Sequence, residues 1–285
     1  MFKVGIIGTE NTHASGFMEI FKNDPAYADI EVVCVGGMYD DANKALQEKY
    51  GVEIVNDPEE MVKKVDAGMI TCRDGKYHAR YAEPFIKAGK PVFVDKPFTV
   101  DIEEGKALIA LAKEKGVPMV GGSSVKNAYD ILLLENAVKT NPQAVRGGTL
   151  VAPINMQNEY GGFFFYASHL VEMCLRVFGQ DPIAVTAKAF GSSVAVLVEY
   201  EEYTISLQYV GDSYVYFGQI VNQTGVYARN IDLAFCGRHE CEEFAQMLRT
   251  GEMAHSYEEL LKPVFMMNAI YQSYTTGERV ELKKD

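Results

Sequence analysis

The sequence predicts an α/β protein of two domains: an N-terminal Rossmann-type, doubly wound parallel sheet, and a C-terminal α+β domain with an open, largely antiparallel sheet. Short apolar runs alternate with helical patterns through the first part of the chain, as in a series of βαβ units. From residue 147 onward, strand-like runs dominate, and several alternate polar with apolar side chains. We therefore divide the chain into domains at residues 1–122 and 123–285.

In the N-terminal half, apolar runs rich in β-branched residues alternate with segments of helical periodicity. The strands are predicted at residues 2–7, 30–35, 69–72, 91–94 and 118–120. The helices are predicted at residues 14–22, 42–50, 79–88 and 102–115, and a glycine follows the last three as a C-terminal cap. Asp40 and Asp41 are predicted to cap the second helix at its N-terminus.

In the C-terminal half, the first predicted element is a helix at residues 128–139. The strands are predicted at residues 148–152, 184–189, 193–199, 204–210 and 213–221. Two further helices are predicted at residues 168–178 and 257–274. The sequence leaves open whether the closing segment returns to the first domain. The open sheet predicts a surface for a homo-oligomer, either a dimer or a tetramer.

The composition favours a protein that acts on a small molecule. The 285 residues are 48% hydrophobic and 23% charged, which is ordinary globular usage and enough chain for two domains. With 27 Lys and Arg against 39 Asp and Glu, the net charge is −12, and this charge repels nucleic-acid phosphates and anionic lipid. We therefore expect neither a nucleic-acid nor a membrane partner.

Two further features favour a cytoplasmic protein without a metal site. No apolar run approaches the roughly 20 residues that span a bilayer, and the first strand begins too early to leave room for a signal peptide. The five cysteines are odd in number and lie mostly in apolar runs, as reduced core thiols do. Cys236, His239 and Cys241 are close in sequence, but no second ligand cluster accompanies them, so we expect no metal there.

The turn after the first strand is where a dinucleotide-binding fold holds a pyrophosphate, on backbone N–H groups and the positive end of a helix. Residues 4–15 read VGIIGTENTHAS. With Gly8 as the first glycine of a GxGxxG pattern, Glu10 and His13 occupy the second and third glycine positions. A side chain at the second position hinders the approach of the pyrophosphate, and a carboxylate also repels it.

The polar residues of this loop leave two interpretations open. Thr9, Asn11 and Thr12 offer donors to a phosphate, but Asn11 or Thr12 equally fits as a cap for the next helix. The second strand lacks the acidic residue that usually ends it and holds the adenosine ribose, and Asp40 is the nearest substitute. No arginine stands there to bind a 2′-phosphate, so NAD and NADP are not distinguished.

Five segments carry a resemblance to a known family. They read EKYG at residues 48–51, GKPVFVDKPF at 89–98, AKEKGV at 112–117, GGFFFYASHLVE at 161–172 and TGERVEL at 276–282. Together they resemble the Gfo/Idh/MocA family of oxidoreductases over essentially the whole chain. The Asp95-Lys96-Pro97 segment is similar to the Glu-Lys-Pro signature of that family and is the most specific of these motifs.

The resemblance implies a reaction in which hydride passes between NAD or NADP and a sugar, a polyol or a related carbonyl compound. It implies that Lys96 and His169 manage the proton. A lysine at the carboxyl end of a strand lies in the crevice where open α/β sheets bind ligands, and partial burial lowers its pKa. Phe165 replaces the aspartate of the family's Asp-x-x-x-His pattern, which leaves the relay to Lys96 and His169.

The resemblance also implies ligands for the cofactor on the loops nearby. Residues 72–78, CRDGKYH, stand where the family carries a loop that touches the nicotinamide ribose. Arg73, Asp74 and His78 are therefore candidate cofactor residues, and Asp95 is a fourth.

The second domain is expected to bind the substrate and to form the oligomer. Asn127 stands near the place where the family puts residues that meet the substrate. Tyr160 and Tyr166 are candidate substrate residues because aromatic rings stack on sugars, and Tyr166 also offers a hydroxyl in place of the missing aspartate. The phenylalanines between these two tyrosines are expected in the core.

Three hypotheses follow from the sequence. The first is an NAD(P)-dependent oxidoreductase with an unusual phosphate loop. The second is a redox-inactive member of the family that binds carbohydrate or regulates, which Glu10, Phe165 and the missing ribose acid favour. The third is a divalent-metal site of Glu10, His13, Asp74 and His78 for lyase or isomerase chemistry, although their spacing is not specific.

Overall fold

The computed structural model describes residues 1–282, which form two compact units. The first unit contains residues 1–122 and residues 237–261. The second contains residues 123–236 and the described chain from residue 262 onward. The segment of the C-terminal half that joins the first unit is residues 237–261.

Six parallel strands form the sheet of the first unit. They are Phe2–Ile7 (β1), Ile30–Gly36 (β2), Glu53–Ile54 (β3), Ala67–Ile70 (β4), Val92–Asp95 (β5) and Met119–Gly122 (β6). Their order across the sheet is β3-β2-β1-β4-β5-β6, and every neighbouring pair is parallel. The predicted Rossmann-type sheet is confirmed. The strand order reverses between β1 and β4, where doubly wound folds open a ligand-binding crevice at the carboxyl ends of the strands.

Helices connect these strands. They are Thr12–Asn23 (α1), Asp40–Tyr50 (α2), Pro58–Val62 (α3), His78–Lys87 (α4) and Ile102–Lys115 (α5). The fully buried Val4 and Ile6 of β1 pack in one core with Phe17 and Phe21 of α1. Phe244, from the segment that joins the sheet, is buried in the same core.

The starts of two helices differ from the prediction. Helix α2 begins at Asp40, and the residue before it, Tyr39, makes no capping bond with its side chain. The prediction that Asp40 and Asp41 cap this helix was therefore wrong, since both lie in its first turn, where their charges favour the positive end of the helix. Helix α1 begins at Thr12, two residues earlier than predicted, because the Asn11 side chain caps it.

Seven strands form the sheet of the second unit. They are Val145–Ile154 (β7), Ala184–Phe190 (β8), Ser193–Glu199 (β9), Thr204–Gly211 (β10), Phe217–Asn222 (β11), Gly225–Asn230 (β12) and Val280–Glu281 (β13). The order is β12-β11-β7-β10-β9-β8-β13. All neighbouring pairs are antiparallel except β7 with β10. The predicted open, largely antiparallel sheet is confirmed, with one parallel pair.

The remaining helices are Tyr129–Thr140 (α6), Phe163–Phe178 (α7), Cys236–Thr250 (α8) and Tyr257–Thr276 (α9). A parallel pair of strands needs a crossover connection, and the chain between β7 and β10 supplies it through α7. Along β9, Val194, Val196 and Val198 are buried whereas Leu197 is exposed, as the alternating pattern predicts.

Three elements of the C-terminal half were not predicted from the sequence, and one strand was predicted too long. The three are helix α8, strand β12 and the two-residue strand β13. Nearly all residues of β12 are exposed, so that strand carries no alternation to detect. The predicted strand at residues 213–221 begins only at Phe217, because β10 ends at Gly211 and Asp212 turns the chain with a φ of 56°.

The helices of residues 1–282 include none that is both long enough and apolar enough to cross a bilayer.

We expect Gly8→Ala to destabilise the protein by roughly 3 kcal/mol or more. Gly8 has a φ of +105°, and a Cβ atom there would lie 2.2 Å from the backbone nitrogen of Cys72. Gly16→Ala is the matched control, since nothing lies within 4 Å of its Cβ position on the exposed side of α1, and this change should stabilise by about 0.5–1 kcal/mol. Urea unfolding measures both. Equal effects of the two substitutions would contradict the close packing at Gly8.

Candidate active site

The base of the crevice beside β1 consists of backbone packed against backbone. The Gly8 N–H donates to the carbonyl oxygen of Gly36 over 3.0 Å. A Cβ atom at Gly36 would lie 2.1 Å from the carbonyl oxygen of Val55, and one at Gly37 would lie 3.2 Å from the Gly8 nitrogen. Glycine at these positions lets the backbones of the loops after β1 and β2 come into direct contact. Gly8 lies in the turn after β1, as the sequence predicts.

Glu10 joins the loop after β1 to the loop after β4. Its Oε1 atom accepts a hydrogen bond from the Arg73 N–H over 3.0 Å. Its Oε2 atom is buried and finds no hydrogen-bond partner among residues 1–282. The Glu10 charge adds to the effect of burial in raising the pKa of the Cys72 thiol. The Arg73 N–H therefore holds the Glu10 carboxylate against the loop after β4.

Thr9, Asn11 and Thr12 have different surroundings. Thr9 is buried, and its hydroxyl donates to Asn43 Oδ1 over 2.5 Å, which ties the loop to α2. Asn11 is buried and caps α1, because its Oδ1 atom accepts from the His13 N–H over 3.1 Å. Thr12 is the exposed first residue of α1. The capping interpretation of Asn11 is confirmed, while phosphate binding by these residues stays a prediction.

Asp95, the last residue of β5, is a fully buried carboxylate on which three donors converge. Its Oδ2 atom accepts from Asn11 Nδ2 over 3.0 Å and lies 2.8 Å from Nδ1 of His13. Its Oδ1 atom accepts from the Lys96 N–H over 2.7 Å. Burial works to raise the pKa of this carboxyl, but the charges and hydrogen bonds of His13 and Lys96 outweigh burial and hold the pKa below its usual value.

Lys96, the predicted acid and base, is buried with only 5% of its surface exposed. Burial lowers the pKa of its ammonium group, and the charge of Arg73 lowers it further, while the charges of Asp95 and Glu240 oppose the shift. Lys96 is therefore not a solvated surface lysine. A lysine whose pKa is lowered toward neutrality exchanges protons more readily than an ordinary one.

Polar side chains of the loop after β4 form hydrogen bonds and an ion pair that stabilise the loop itself. Asp74 accepts from the Lys76 N–H over 3.1 Å and pairs with the Lys76 ammonium at 2.6 Å. His78 is fully buried, with Nδ1 2.7 Å from the carbonyl oxygen of Pro97 and Nε2 2.8 Å from that of Cys72. Their roles as cofactor ligands stay predictions, as does that of Arg73.

The metal hypothesis gains no support from this geometry. Both ring nitrogens of His78 face backbone carbonyl oxygens, and His13 contacts Asp95. Within residues 1–282, no group of three or more His, Cys, Asp or Glu side chains is arranged to hold a metal ion.

Asp40, the substitute for the missing ribose acid, is exposed in the first turn of α2. Nothing in its surroundings tests ribose binding, so this role also stays a prediction.

In the second unit, His169 belongs to a buried polar cluster with Ser123, Lys126 and Glu172, here called the Ser123 cluster. Ser123 Oγ lies 2.6 Å from Nδ1 of His169, and the Ser123 N–H donates to Glu172 Oε1 over 2.8 Å. Lys126 Nζ donates to Glu172 Oε2 over 3.1 Å. These bonds join α7 to the 3₁₀ turn Ser124–Asn127, and they hold the His169 side chain in position.

Aromatic rings surround His169 within the second unit. The rings of Tyr166 and Tyr216 have centroids 5.9 Å and 6.1 Å from its imidazole. The Tyr160 ring lies 5.7 Å from that of Phe165, which is buried in keeping with its expected place in the core. Asn127 is buried in its 3₁₀ turn. Substrate contacts by Asn127, Tyr160 and Tyr166 stay predictions.

Sequence reasoning missed several polar residues of both units. Glu172 follows His169 by three residues on one helix, a spacing that places the two side chains on neighbouring positions and was the only available signal. Ser123 and Lys126 gave none, because their partners are 46–49 residues away. Glu240 is buried on α8 and acts on the charge of Lys96, but α8 itself was not predicted.

The first unit fits a dinucleotide. Its strand order reverses beside β1, and the backbone at Gly8 and Gly37 is close enough that a Cβ atom at either would crowd the neighbouring loop. The buried ammonium of Lys96 lies at the end of β5. Glu10 is an unfavourable neighbour, because its carboxylate repels a diphosphate.

Residues 2–122 match a protein-family model described as "Oxidoreductase family, NAD-binding Rossmann fold", the Gfo/Idh/MocA model. The N-terminal part of the chain is therefore similar to the Gfo/Idh/MocA oxidoreductases. An inositol 2-dehydrogenase of Rhizobium meliloti is 25% identical over 181 residues, which are 60% of this chain and 53% of that protein. The scyllo-inositol 2-dehydrogenase (NADP(+)) IolW of Bacillus subtilis is 27% identical over 193 residues, 61% of this chain and 50% of that one.

The chain also has the fold of solved dehydrogenases. A scyllo-inositol dehydrogenase from Lactobacillus casei, solved with NAD(H) and scyllo-inositol bound, superposes with a TM-score of 0.85 over 99% of both chains at 15% identity. At that identity the superposition shows the fold alone. The matched region spans about half the length of the two curated relatives.

We expect Lys96→Met to raise the free energy of unfolding by roughly 1 kcal/mol at pH 7. The folded chain binds the Lys96 proton less tightly than the unfolded chain, so the charged lysine costs stability below its folded pKa. This cost falls as the pH rises through that value toward the ordinary lysine pKa of about 10.4, so the gain from Met should shrink over the same range. Urea unfolding from pH 7 to pH 10 measures this change.

Lys87→Met is the control for this prediction. Lys87 is an exposed lysine on α4 that pairs with Glu83, and its replacement should change stability by less than about 0.5 kcal/mol at every pH. A loss of stability in Lys96→Met at pH 7 would contradict a net cost of burying the ammonium.

Proposed function

We propose that this chain is an NAD(P)-dependent oxidoreductase that transfers hydride between a nicotinamide cofactor and a sugar, a polyol or a related carbonyl compound. The observation that carries the proposal is the ammonium group of Lys96, which is buried at the carboxyl end of a crevice-forming sheet and has a lowered pKa. The family match and the two inositol dehydrogenase relatives support the same activity.

In this proposal Lys96 is the acid and the base. When a hydroxyl group is oxidised, the neutral amine takes the hydroxyl proton, and when a carbonyl group is reduced, the ammonium returns one. A lowered pKa lets one lysine perform both steps closer to neutral pH. His169 orients the substrate oxygen, and Asn127, Tyr160 and Tyr166 are further substrate contacts.

A bound nicotinamide supplies the hydride acceptor or donor for this chemistry. The residues proposed to hold the cofactor are Gly8, Thr9, Asn11, Thr12, Asp40, Arg73, Asp74, His78 and Asp95. The Gly8 backbone and the N-terminal end of α1 support this assignment best. The assignment is supported least for His78, because its ring is fully buried. NAD and NADP remain alternatives.

A second candidate function is a redox-inactive protein that binds carbohydrate or regulates. The observation in its favour is Glu10, whose carboxylate stands in the crevice with one buried oxygen that has no hydrogen-bond partner among residues 1–282. A crevice with this charge binds an anionic dinucleotide more weakly than one without it.

Titration with NADH and with NADPH distinguishes the two functions. The chain contains no Trp, so nicotinamide fluorescence is read against tyrosine emission alone. The oxidoreductase proposal predicts saturable binding of one of the two cofactors with a Kd on the order of micromolar. An absence of binding up to ~1 mM would reject that proposal in favour of the redox-inactive one.

The variant Glu10→Gln extends the same titration. It keeps an oxygen that accepts from the Arg73 N–H but removes the charge, so cofactor affinity should rise roughly tenfold, on the order of 1.4 kcal/mol. Glu48→Gln, at an exposed position of α2, makes the same change in net charge and should leave the Kd unchanged. Equal Kd values for wild type and Glu10→Gln would show that the Glu10 charge does not act on the cofactor.

We also propose that the open sheet of the second unit forms the contact of a homo-oligomer, a dimer or a tetramer. Exposed apolar side chains on its strands, among them Phe190, Leu197 and Val226, support this. Light scattering of the purified chain measures the mass directly, and a monomer at all concentrations would exclude it. A cytoplasmic location stays a prediction.

A further inference from the structure

The hydroxyl of Ser123 has a restricted set of partners. Its Oγ atom accepts a hydrogen bond from the Val125 N–H over 3.2 Å and lies 2.6 Å from Nδ1 of His169. Ser123 is fully buried, so water does not reach this oxygen. Among residues 1–282, Nδ1 of His169 is therefore the only acceptor for the hydroxyl hydrogen.

This restriction decides which nitrogen of His169 carries the proton. A neutral imidazole has one donor nitrogen and one acceptor nitrogen. If Nδ1 carried the proton, it would donate to Ser123 Oγ, and the buried hydroxyl hydrogen would have no acceptor. Buried polar hydrogens are rarely left without one. The arrangement that satisfies both groups has the hydroxyl donating to Nδ1 and the ring proton on Nε2.

We propose that Ser123 holds the neutral imidazole of His169 with its proton on Nε2, so that His169 donates a hydrogen bond to the substrate oxygen and does not take up its proton. The chemical role rests on the proposed oxidoreductase function. Ser123 is thus a positioning residue for His169. The proton of the substrate hydroxyl then passes to the neutral amine of Lys96, which becomes an ammonium group.

The rest of the Ser123 cluster keeps this hydroxyl in place. Glu172 accepts from the Ser123 N–H with one oxygen and from the Lys126 ammonium with the other. The buried carboxylate is therefore paired and bonded at both oxygens, as a buried charge must be to be tolerated. These bonds fix the start of the 3₁₀ turn Ser124–Asn127 against α7, and so they fix Ser123 Oγ relative to the imidazole.

Position 165 bears on this arrangement, because it holds a phenylalanine and not a carboxylate. A carboxylate in contact with Nδ1 accepts, and so places the ring proton on Nδ1 and leaves Nε2 as a base. Phe165 offers no such acceptor, and the contact with Nδ1 is made by the Ser123 hydroxyl. With the hydroxyl as donor, the ring proton lies on Nε2, opposite to the arrangement that a carboxylate would impose.

Nitrogen-15 NMR of the full chain, labelled at histidine and held at pH 8, tests this. A long-range proton–nitrogen spectrum separates nitrogens that carry a proton from those that accept, and His169→Gln identifies the His169 signals. We expect an accepting Nδ1 and a protonated Nε2 in the wild type. The preference should be lost in Ser123→Ala and restored in Ser123→Thr, which keeps the hydroxyl.

Ser168→Ala is the matched control. Ser168 is a fully buried serine next to His169, and its hydroxyl oxygen has no hydrogen-bond partner among residues 1–282, so its removal should leave the His169 signals unchanged. A protonated Nδ1 in the wild type would overturn the proposal, whether or not NADH binds. An accepting Nδ1 in a protein that binds neither NADH nor NADPH would support the tautomer and reject the proposed function.

Discussion

The buried carboxylate of Asp95 is the constraint on which the first unit's site depends. A charged oxygen pair without access to water is stable only when donors surround it. The backbone N–H of Lys96 and the side chains of Asn11 and His13 supply those donors. One carboxylate therefore joins the start of α1 to the end of β5 and fixes the backbone from which Lys96 extends.

This network explains two of the unusual residues in the loop after β1. In a glycine-rich loop the third glycine lets the helix pack closely on the strand, whereas here His13 occupies that position and contacts Asp95. Asn11 caps α1 with its oxygen and donates to Asp95 with its nitrogen. Side-chain hydrogen bonds thus hold the helix in its place. Glu10 differs from these residues, because one of its two carboxylate oxygens has no hydrogen-bond partner in the part of the chain that the structure describes.

The sequence predicted the sheets well because strand periodicity and glycine caps are local signals. It also predicted that Lys96 would be buried with a lowered pKa, since the end of a parallel strand lies in a crevice. It did not predict the contacts of Ser123 with His169 and Glu172, because these bonds join residues 46–49 positions apart. It failed on Asp40, because a cap and a first-turn acid have the same local pattern.

The most direct test of the role of Asp95 is a double-mutant cycle of His13→Leu and Asp95→Asn, measured by urea unfolding at pH 7. The two side chains share one short contact, so removing both should cost less than the sum of the single changes. We expect a coupling of roughly 1–3 kcal/mol in the free energy of unfolding. Single effects that add within about 0.5 kcal/mol would contradict the dependence of the site on this carboxylate.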